Sequence, residues 1–181
     1  FAAIKSNDKV GLIVFTDGVE LFIPPKKGRS HVWHVISAIL SFEPKGKGTG
    51  LKEALEFLTR VMRRKTVTFV ISDFMAENYD LPLKLARFRH EIIGLMIRDP
   101  LERHFPEGCL VSVTDLETGS QVSVDMGSKA RRTAFEKMRN QELEKKKRHF
   151  RSLDIDFLPL DAESDTIPPL LQFFRMREKR I

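Results

Sequence analysis

The chain has 181 residues, of which 41% are hydrophobic and 31% are charged, and its 31 basic and 25 acidic residues give a formal net charge of +6. This composition excludes a disordered tail, a collagen-like repeat and a small disulfide-stapled peptide. The single cysteine excludes an internal disulfide bond and favours a reducing compartment, and the apolar runs are too short for a transmembrane helix. Because nothing resembles a signal peptide, we expect a cytoplasmic protein.

The first half of the chain alternates buried strands with amphipathic helices. Continuous apolar runs predict the strands, helical spacing of apolar residues predicts the helices, and Asp17-Gly18 predicts the tight turn of a hairpin. Pro24-Pro25 is predicted to end the second hairpin strand at a sheet edge. In chain order, the predicted elements are strands over Val10–Phe15 and Val19–Ile23, helices over Arg29–Phe42 and from Thr49 onward, a strand over Thr66–Ile71, a helix over Leu81–Arg89 and a strand over Glu91–Ile97.

The second half of the chain continues this alternation after an insertion. Two β-rich runs separated by a turn-forming segment predict an inserted β-hairpin. The strand–helix rhythm predicts an α/β fold with a doubly wound, mostly parallel sheet and helices on both faces, and we expect residues 1–181 to form a single domain. The remaining predicted elements are the hairpin strands Leu110–Thr114 and Gln121–Val124, a polar helix over Ser128–Ser152, a strand over Ile155–Leu160 and a closing helix capped by Asp165-Thr166.

Polar side chains follow three predicted strands at the point where each strand ends. Ligands of open α/β sheets bind outside the carboxyl ends of the strands, so these residues are the first candidates for a site. Hydroxyl and carboxylate oxygens are hard ligands that suit Mg²⁺ or Mn²⁺ rather than zinc. The candidates are Thr16 and Asp17, Ser72 and Asp73, and Arg98 and Asp99, with Thr49 at the amino end of a helix on the same edge.

Each candidate also has a structural interpretation. Asp17 and Asp99 precede a glycine and a proline, and both are favoured as turn residues. Thr49 is a candidate N-cap for the second helix, and Asp73 is a candidate for either helix capping or metal ligation. The metal interpretation therefore stays open chiefly for Thr49 and Asp73.

Two further motifs carry weaker signals. His31 and His34 lie three residues apart on a predicted helix, but without a third ligand a surface or packing role is favoured. The segment Gly46–Thr49 superficially resembles a phosphate-binding loop. It lacks the full spacing of such a loop and does not follow a buried strand, so a nucleotide site is disfavoured.

The positive charge is concentrated in one predicted helix. From Gly127 to Arg151 there are ten Lys or Arg residues against three Glu residues, whereas Ser152–Phe174 carries five acids and no Lys or Arg. Such a helix can attract phosphate or an acidic protein surface. Because it lacks interleaved aromatic residues for base stacking, a solvated outer helix is the favoured interpretation.

Several segments together resemble the bacterial von Willebrand factor A-like proteins associated with MoxR-type AAA+ ATPases, a largely uncharacterised conserved domain. They are Asp8–Phe15, Phe22–His31, Thr49–Leu55 and Val70–Phe74, and the resemblance extends to about Leu171. It implies a Rossmann-like von Willebrand factor A fold with a metal-ion-dependent adhesion site that binds Mg²⁺. Thr49 matches the threonine of the second metal-binding loop of the family, and Asp73 matches the aspartate of the third.

Two features depart from the pattern of that family. The Asp-x-Ser-x-Ser loop is absent, and Phe1–Lys5 is typical of the tail of the helix that follows it, so we expect the first central strand and the main metal ligands upstream. Gly50 stands where relatives often carry an acidic residue. Without the first strand, two neighbouring strands would have unpaired apolar edges, and Thr49 and Asp73 alone would bind Mg²⁺ weakly.

The resemblance implies a non-enzymatic, metal-dependent protein–protein interaction module. Its partners would be a MoxR-type AAA+ ATPase and client proteins whose complexes are assembled or activated, with the basic helix as a second contact surface. We expect neither nucleic acid nor a membrane segment. One alternative is a Mg²⁺-dependent phosphotransfer or hydrolase domain that uses Asp17, Asp73 and Asp99, and another is nucleic-acid binding through the basic helix 128–152 and its Lys145–Arg151 face.

Overall fold

The computed structural model describes residues 4, 6–99, 110–114, 121–125, 128–163 and 165–178. They form a mixed α/β structure, so the α/β class is confirmed. In chain order the elements are β1 (Val10–Phe15), β2 (Val19–Lys26), α1 (Arg29–Leu40), α2 (Leu51–Val61), β3 (Val67–Ser72), α3 (Asp80–Arg89), β4 (Glu91–Arg98), β5 (Leu110–Thr114), β6 (Gln121–Asp125), α4 (Lys129–Ser152), β7 (Asp156–Asp161) and α5 (Ile167–Glu178).

The chain divides into two compact units. The first comprises Phe1–Arg63 and Ala76–Ala86, and the second comprises Arg64–Met75 and Arg87–Ile181. The single domain expected over residues 1–181 stays a prediction. Of the predicted helix tail Phe1–Lys5, all but Ile4 lies outside the described residues, as does the turn segment 115–120 of the inserted hairpin.

The first unit is built on an antiparallel hairpin of β1 and β2. Ile13 pairs with Phe22 and Val14 with Leu21. Pro24-Pro25 was expected to end β2, but the strand continues to Lys26, which pairs with Val10. Two features allow both prolines in β2. The register between β1 and β2 shifts between Val10 and Leu12. In the described part of the chain, β2 also has a strand partner on one side only.

Helix α2 packs its apolar face against β1. Leu51, Ala54, Leu55 and Leu58 follow the helical spacing predicted from the sequence, and all four are buried. Beside them, the rings of Phe22 and Phe57 meet edge to face with centroids 5.2 Å apart. This packing fixes the start of α2 next to the end of β1.

The second unit contains a three-stranded parallel sheet in the order β3-β4-β7. Successive residues of the central strand β4 point to opposite faces. Ile93 and Leu95 pack with Phe173 of α5 on one face, whereas Phe150 of α4 lies against Gly94 on the other. The predicted parallel sheet with helices on both faces is thus confirmed for this unit.

Strands β1 and β3 each have one edge without a strand partner among the described residues. β1 pairs with β2 and β3 pairs with β4. That a central strand would lie between β1 and β3 stays a prediction. The inserted hairpin is confirmed as an antiparallel pair of β5 and β6, with Thr114 opposite Gln121. Within the described residues, no helix has both the length and the apolar character needed to cross a membrane.

Candidate functional site

The carboxyl edge of the parallel sheet collects polar side chains from neighbouring strands of the second unit. Ser72 at the end of β3 pairs with Met96, and Arg98 at the end of β4 pairs with Asp161 of β7. Asp73 and Asp99, which follow β3 and β4, are therefore at the same edge and are both exposed. The sequence predicted this position for both aspartates, and their role as ligands stays a prediction.

Asp73 lies in a tight turn that uses only part of its carboxylate. Its Oδ1 accepts hydrogen bonds from the Met75 N–H at 3.0 Å and from the Ser72 hydroxyl at 3.4 Å. No hydrogen bond reaches Oδ2 from the described residues. Helix capping, the alternative role, is wrong because the next helix, α3, does not begin until Asp80. One oxygen of Asp73 is thus left for an external ligand.

The turn around Asp73 is anchored by aromatic packing. Phe74 adopts a φ of 55°, which turns its ring into the protein, where it is only 2% exposed. The ring lies 5.0 Å from that of Phe150 and 5.7 Å from that of Phe157. Lys146 of α4 adds a hydrogen bond from its ammonium to the Asp73 carbonyl at 3.0 Å. A positive φ at a bulky residue is unfavourable by itself, so these contacts hold the turn in place.

Thr49 lies in the loop before α2, in the first unit, and its side chain is exposed. The prediction that Thr49 caps α2 is wrong, because the N-cap is Gly50 and the helix start has no side-chain cap hydrogen bond. Gly50 takes this position because its N–H donates to the Thr16 carbonyl, while its own carbonyl accepts from Ala54 N–H at 3.1 Å. The Thr49 hydroxyl consequently has no hydrogen-bond partner among the described residues.

Two carboxylates from the β1–β2 hairpin hold the loop that leads to Thr49. Asp17 accepts hydrogen bonds from the N–H groups of Lys47 at 3.1 Å and Gly48 at 2.9 Å. Glu20 accepts from the N–H groups of Lys45 at 3.0 Å and Gly46 at 2.9 Å. We call Asp17 and Glu20, with the four N–H groups that they bind, the carboxylate clasp.

The clasp changes the interpretation of two residues. Asp17 does lie in a turn, since the Thr16 N–H donates to the Gly18 carbonyl at 2.9 Å, as its turn role predicted. Its carboxylate, however, also binds a loop 30 residues away, and both oxygens are used there. Glu20 was not identified from the sequence at all. No local sequence signal relates Glu20 to the loop that it binds, which lies 25 and 26 residues away.

The glycines of this loop are required by the close approach of Asp17. A Cβ at Gly46 or Gly48 would overlap the Asp17 carboxylate, and a Cβ at Gly50 would lie 2.5 Å from the Asp17 carbonyl oxygen. Gly50 is also buried. Any side chain at this position, an acidic one included, would collide with the Asp17 backbone in this arrangement.

The stability provided by Glu20 is expected to depend on pH. Hydrogen bonds from the Thr16 hydroxyl and from the N–H groups of Gly46 and Lys45 lower the pKa of Glu20. The unfolded chain then binds the proton more tightly, so the stabilisation is complete above pH 4.5 and is lost as the pH falls through the lowered pKa. In urea denaturation, the stability difference between wild type and Glu20→Gln should shrink from about pH 6 to about pH 3. A difference that stays constant over this range would contradict the prediction, and Glu43→Gln, an exposed position, is the matched control.

The remaining candidates are occupied by structural contacts. His31 Nε2 donates to the Val10 carbonyl at 2.8 Å, which supports the packing role favoured for it. Its ring centroid is 6.3 Å from that of His34, and both rings line a groove of about 290 Å³. Arg98 pairs with Asp161 at 2.7 Å. Among the described residues, no group of three or more His, Cys, Asp or Glu side chains could hold a metal ion.

His90 is a buried polar residue that sequence analysis missed. It is 1% exposed, and its Nδ1 lies 3.1 Å from the Thr66 hydroxyl at the amino end of the parallel sheet. Burial, with a smaller contribution from Arg89, lowers the pKa of His90 and favours the neutral ring. Because it lies at the edge opposite to Asp73, we assign it a structural role.

The basic helix α4 uses several of its charges internally. Lys147 pairs with Glu144, and Arg139 pairs with Glu142, each at 2.8 Å. The Lys147 ammonium is the main cause of the lowered pKa of Glu144. Phe150, near the end of the helix, is fully buried. These contacts agree with a solvated outer helix that is anchored at its carboxyl end.

The donor chemistry of Thr49 and Asp73 fits a hard divalent cation. Each offers an exposed oxygen without a hydrogen bond from the described residues, and Mg²⁺ prefers such ligands. A single carboxylate is too little for tight binding, because Mg²⁺ gives up its waters reluctantly. Thr49 belongs to the first unit and Asp73 to the second, so their ligation of one cation stays a prediction.

The family described as "Protein of unknown function DUF58" matches residues 1–145 of this chain. Uncharacterized protein Rv1480 of Mycobacterium tuberculosis is 24% identical over 178 residues, covering 96% of this chain and 55% of that protein. Uncharacterized protein MAV169 of Mycobacterium avium is 26% identical over 160 residues, covering 87% of this chain and 94% of that protein. The chain therefore spans about half the length of the first of these relatives.

Two solved structures share the fold. The conserved hypothetical protein BatB from Bacteroides thetaiotaomicron aligns with a TM-score of 0.56 and 18% identity, covering 95% of this chain and 79% of that chain. An aerotolerance-related membrane protein from Bacteroides fragilis aligns with a TM-score of 0.52 and 19% identity, covering 86% of this chain and 73% of that chain. At this level of identity the likeness concerns the fold alone.

Proposed function

This chain belongs to the family described as "Protein of unknown function DUF58", and from the resemblance of its segments we propose that it is part of a von Willebrand factor A-like module that binds a protein ligand through a divalent cation. A MoxR-type AAA+ ATPase and its client complexes are the proposed partners. The chain covers 55% of a longer relative, so these partners are proposed for the whole protein rather than for this segment alone.

One observation supports the cation above all others. Thr49 and Asp73, the two residues that match the metal-binding loops of the resembled family, each have an exposed side-chain oxygen without a hydrogen bond from the described residues. If either residue capped a helix, its side-chain oxygen would accept a hydrogen bond from a backbone N–H of that helix. Thr49 does not cap α2, and the helix that follows Asp73 does not begin until Asp80.

In the proposed site, Asp73 provides the negative charge that attracts the cation, and Thr49 provides a neutral hydroxyl. A bound Mg²⁺ supplies a positive centre that a carboxylate of the partner can complete. The anchoring of Phe74 keeps the Asp73 turn in one conformation, so the ligand oxygen needs little reorganisation on binding. A further carboxylate, such as the one from the partner, would strengthen the site, because Mg²⁺ sites usually include more than one carboxylate or phosphate.

The test is titration of the chain with Mn²⁺, which broadens the NMR signals of nearby amides. We expect the signals of Thr49 and Gly50 and those of Asp73 and Phe74 to broaden at the same concentrations. Asp73→Asn should weaken binding by at least about tenfold, since even the outer-shell partners of metal ligands contribute 10- to 100-fold. Thr49→Val should have a smaller effect in the same direction.

Asp165→Asn is the matched control for Asp73→Asn. Asp165 is also exposed, and its Oδ1 accepts a hydrogen bond from the Ile167 N–H at 3.0 Å, so the substitution removes the same charge from a similar turn. Equal loss of Mn²⁺ binding in both variants would assign the effect to net charge and overturn the site. Binding of a purified MoxR-type ATPase from the same genome should be lost on exchanging Mg²⁺ for EDTA and in Asp73→Asn.

A further inference from the structure

We propose that Asp17 and Glu20 are positioning residues, which hold the Thr49 loop so that the Thr49 hydroxyl is preorganised for the cation. This proposal rests on the proposed function for the role of Thr49. It does not make either carboxylate a metal ligand. The two acids act through the backbone of the loop that they bind.

Two hydrogen bonds, one from the clasp and one between backbone groups, fix the chain on both sides of Thr49. The Gly48 N–H before it donates to Asp17 at 2.9 Å, and the Gly50 N–H after it donates to the Thr16 carbonyl. Thr49 is therefore the free residue between two anchored amides, and its side chain is exposed. Loop residues held in this way lose little conformational entropy when a ligand binds.

Without the clasp, the sequence Lys-Gly-Lys-Gly would have high conformational freedom and an uncompensated positive charge. Glycine is the most flexible residue, and lysines at positions 45 and 47 would repel a divalent cation. Asp17 and Glu20 oppose both effects, since they bind four consecutive N–H groups and place two negative charges beside the loop. Thr16 donates a further hydrogen bond to Glu20, which orients that carboxylate.

The clasp also accounts for the phosphate-loop resemblance of Gly46–Thr49. Successive backbone N–H groups in a glycine-rich loop form an anion-binding concavity. Here the anions are the side chains of Asp17 and Glu20, which already accept from the N–H groups of residues 45–48. The N–H groups of this loop thus bind carboxylates of the same chain rather than a phosphate, and the Thr49 hydroxyl is left for a different ligand.

The experiment compares wild type with Glu20→Gln, Asp17→Asn and Gly48→Ala, whose added Cβ would overlap the Asp17 carboxylate. Two quantities are measured: amide hydrogen exchange of residues 45–48, and the Mn²⁺ affinity obtained from broadening of the Thr49 and Gly50 signals. We expect faster exchange in all three variants and Mn²⁺ binding weakened by about three- to tenfold. Thr16→Val, which removes one hydrogen bond to Glu20, should give a smaller change and keeps the test decisive if a stronger variant does not fold.

Two controls separate positioning from general destabilisation. Glu43→Gln removes a nearby exposed charge, and Leu58→Ala destabilises α2 from its buried face without touching the clasp. Both should retain wild-type Mn²⁺ affinity below their melting temperatures. Weakened Mn²⁺ binding in Leu58→Ala equal to that in the clasp variants would overturn the positioning role.

The outcomes distinguish the clasp from the proposed function. If wild type binds Mn²⁺ at Thr49 and the clasp variants bind it equally well despite faster exchange, the positioning role is overturned and the cation site stands. If Mn²⁺ leaves the Thr49 and Asp73 signals of wild type unchanged, the cation site itself is overturned, and the positioning role is overturned with it. Faster amide exchange of residues 45–48 together with weaker Mn²⁺ binding in the clasp variants supports both the positioning role and the cation site.

Discussion

Replacing Phe150 by alanine is expected to destabilise the protein by about 3–5 kcal/mol, the usual range for removing a buried phenylalanine ring. Phe150 is fully buried and lies 5.0 Å from the ring of Phe74 and 4.5 Å from that of Phe157. It also covers Gly94, where a Cβ would lie 2.9 Å from its ring. Alanine would leave a cavity among side chains that cannot collapse into it, because the strand beneath is held by its sheet partners. Urea denaturation followed by circular dichroism measures the loss.

The same substitution should also loosen the Asp73 turn. Phe74 has an unfavourable positive φ, and its packing on Phe150 compensates for it. We therefore expect faster amide exchange at Phe74 and Met75 in Phe150→Ala. Phe88→Ala is the matched control, because that ring is 88% exposed and its removal should change stability by less than about 0.5 kcal/mol. Equal effects of the two substitutions would show that burial of Phe150 is not what stabilises this region.

The elements of the fold could be predicted because their signals are local. The apolar run of β4 and the helical spacing of α2 depend on residues a few positions apart, and both elements agree with the prediction within one or two residues. Boundaries that depend on tertiary contacts were predicted less well. Helix α1 ends at Leu40 rather than at Phe42, and β2 continues through Pro24-Pro25 because its pairing with β1 resumes at Lys26.

The candidate site could be predicted only in part. Asp73 follows a strand, and in a parallel sheet that fact alone places it at the ligand-binding edge. The clasp could not be predicted, because Glu20 and Gly46 are 26 residues apart and no local pattern relates them. The same limit explains the error at Thr49. Its side chain has the chemistry of an N-cap, but the contact between Gly50 and Thr16 moves the helix start by one residue.

These differences have a common physical origin. Hydrogen bonds between distant segments satisfy backbone groups that a local interpretation assigns to nearby side chains. Where the hairpin acids bind the amides of residues 45–48, the threonine that follows is released from capping. At Asp73 the hydrogen bond is local instead, since the Met75 N–H two residues further on uses one carboxylate oxygen and leaves the other. The Thr49 hydroxyl and the second carboxylate oxygen of Asp73 are therefore left without a hydrogen bond from the described residues because the backbone N–H groups near them are already bonded to other acceptor atoms.

The second large effect is expected for Asp161→Ala, which removes the carboxylate paired with Arg98. The two side chains are 13% and 24% exposed, and their charged atoms are 2.7 Å apart at the carboxyl edge of the sheet. Breaking a fully buried ion pair on one side costs about 3–5 kcal/mol, and the remaining exposure here reduces the expected loss to about 2–3 kcal/mol. The double variant Arg98→Met/Asp161→Leu should recover most of this loss, because it leaves no unpaired buried charge. Urea denaturation of Arg98→Met, Asp161→Leu and the double variant that combines them gives the coupling energy, and additive losses would contradict the pairing.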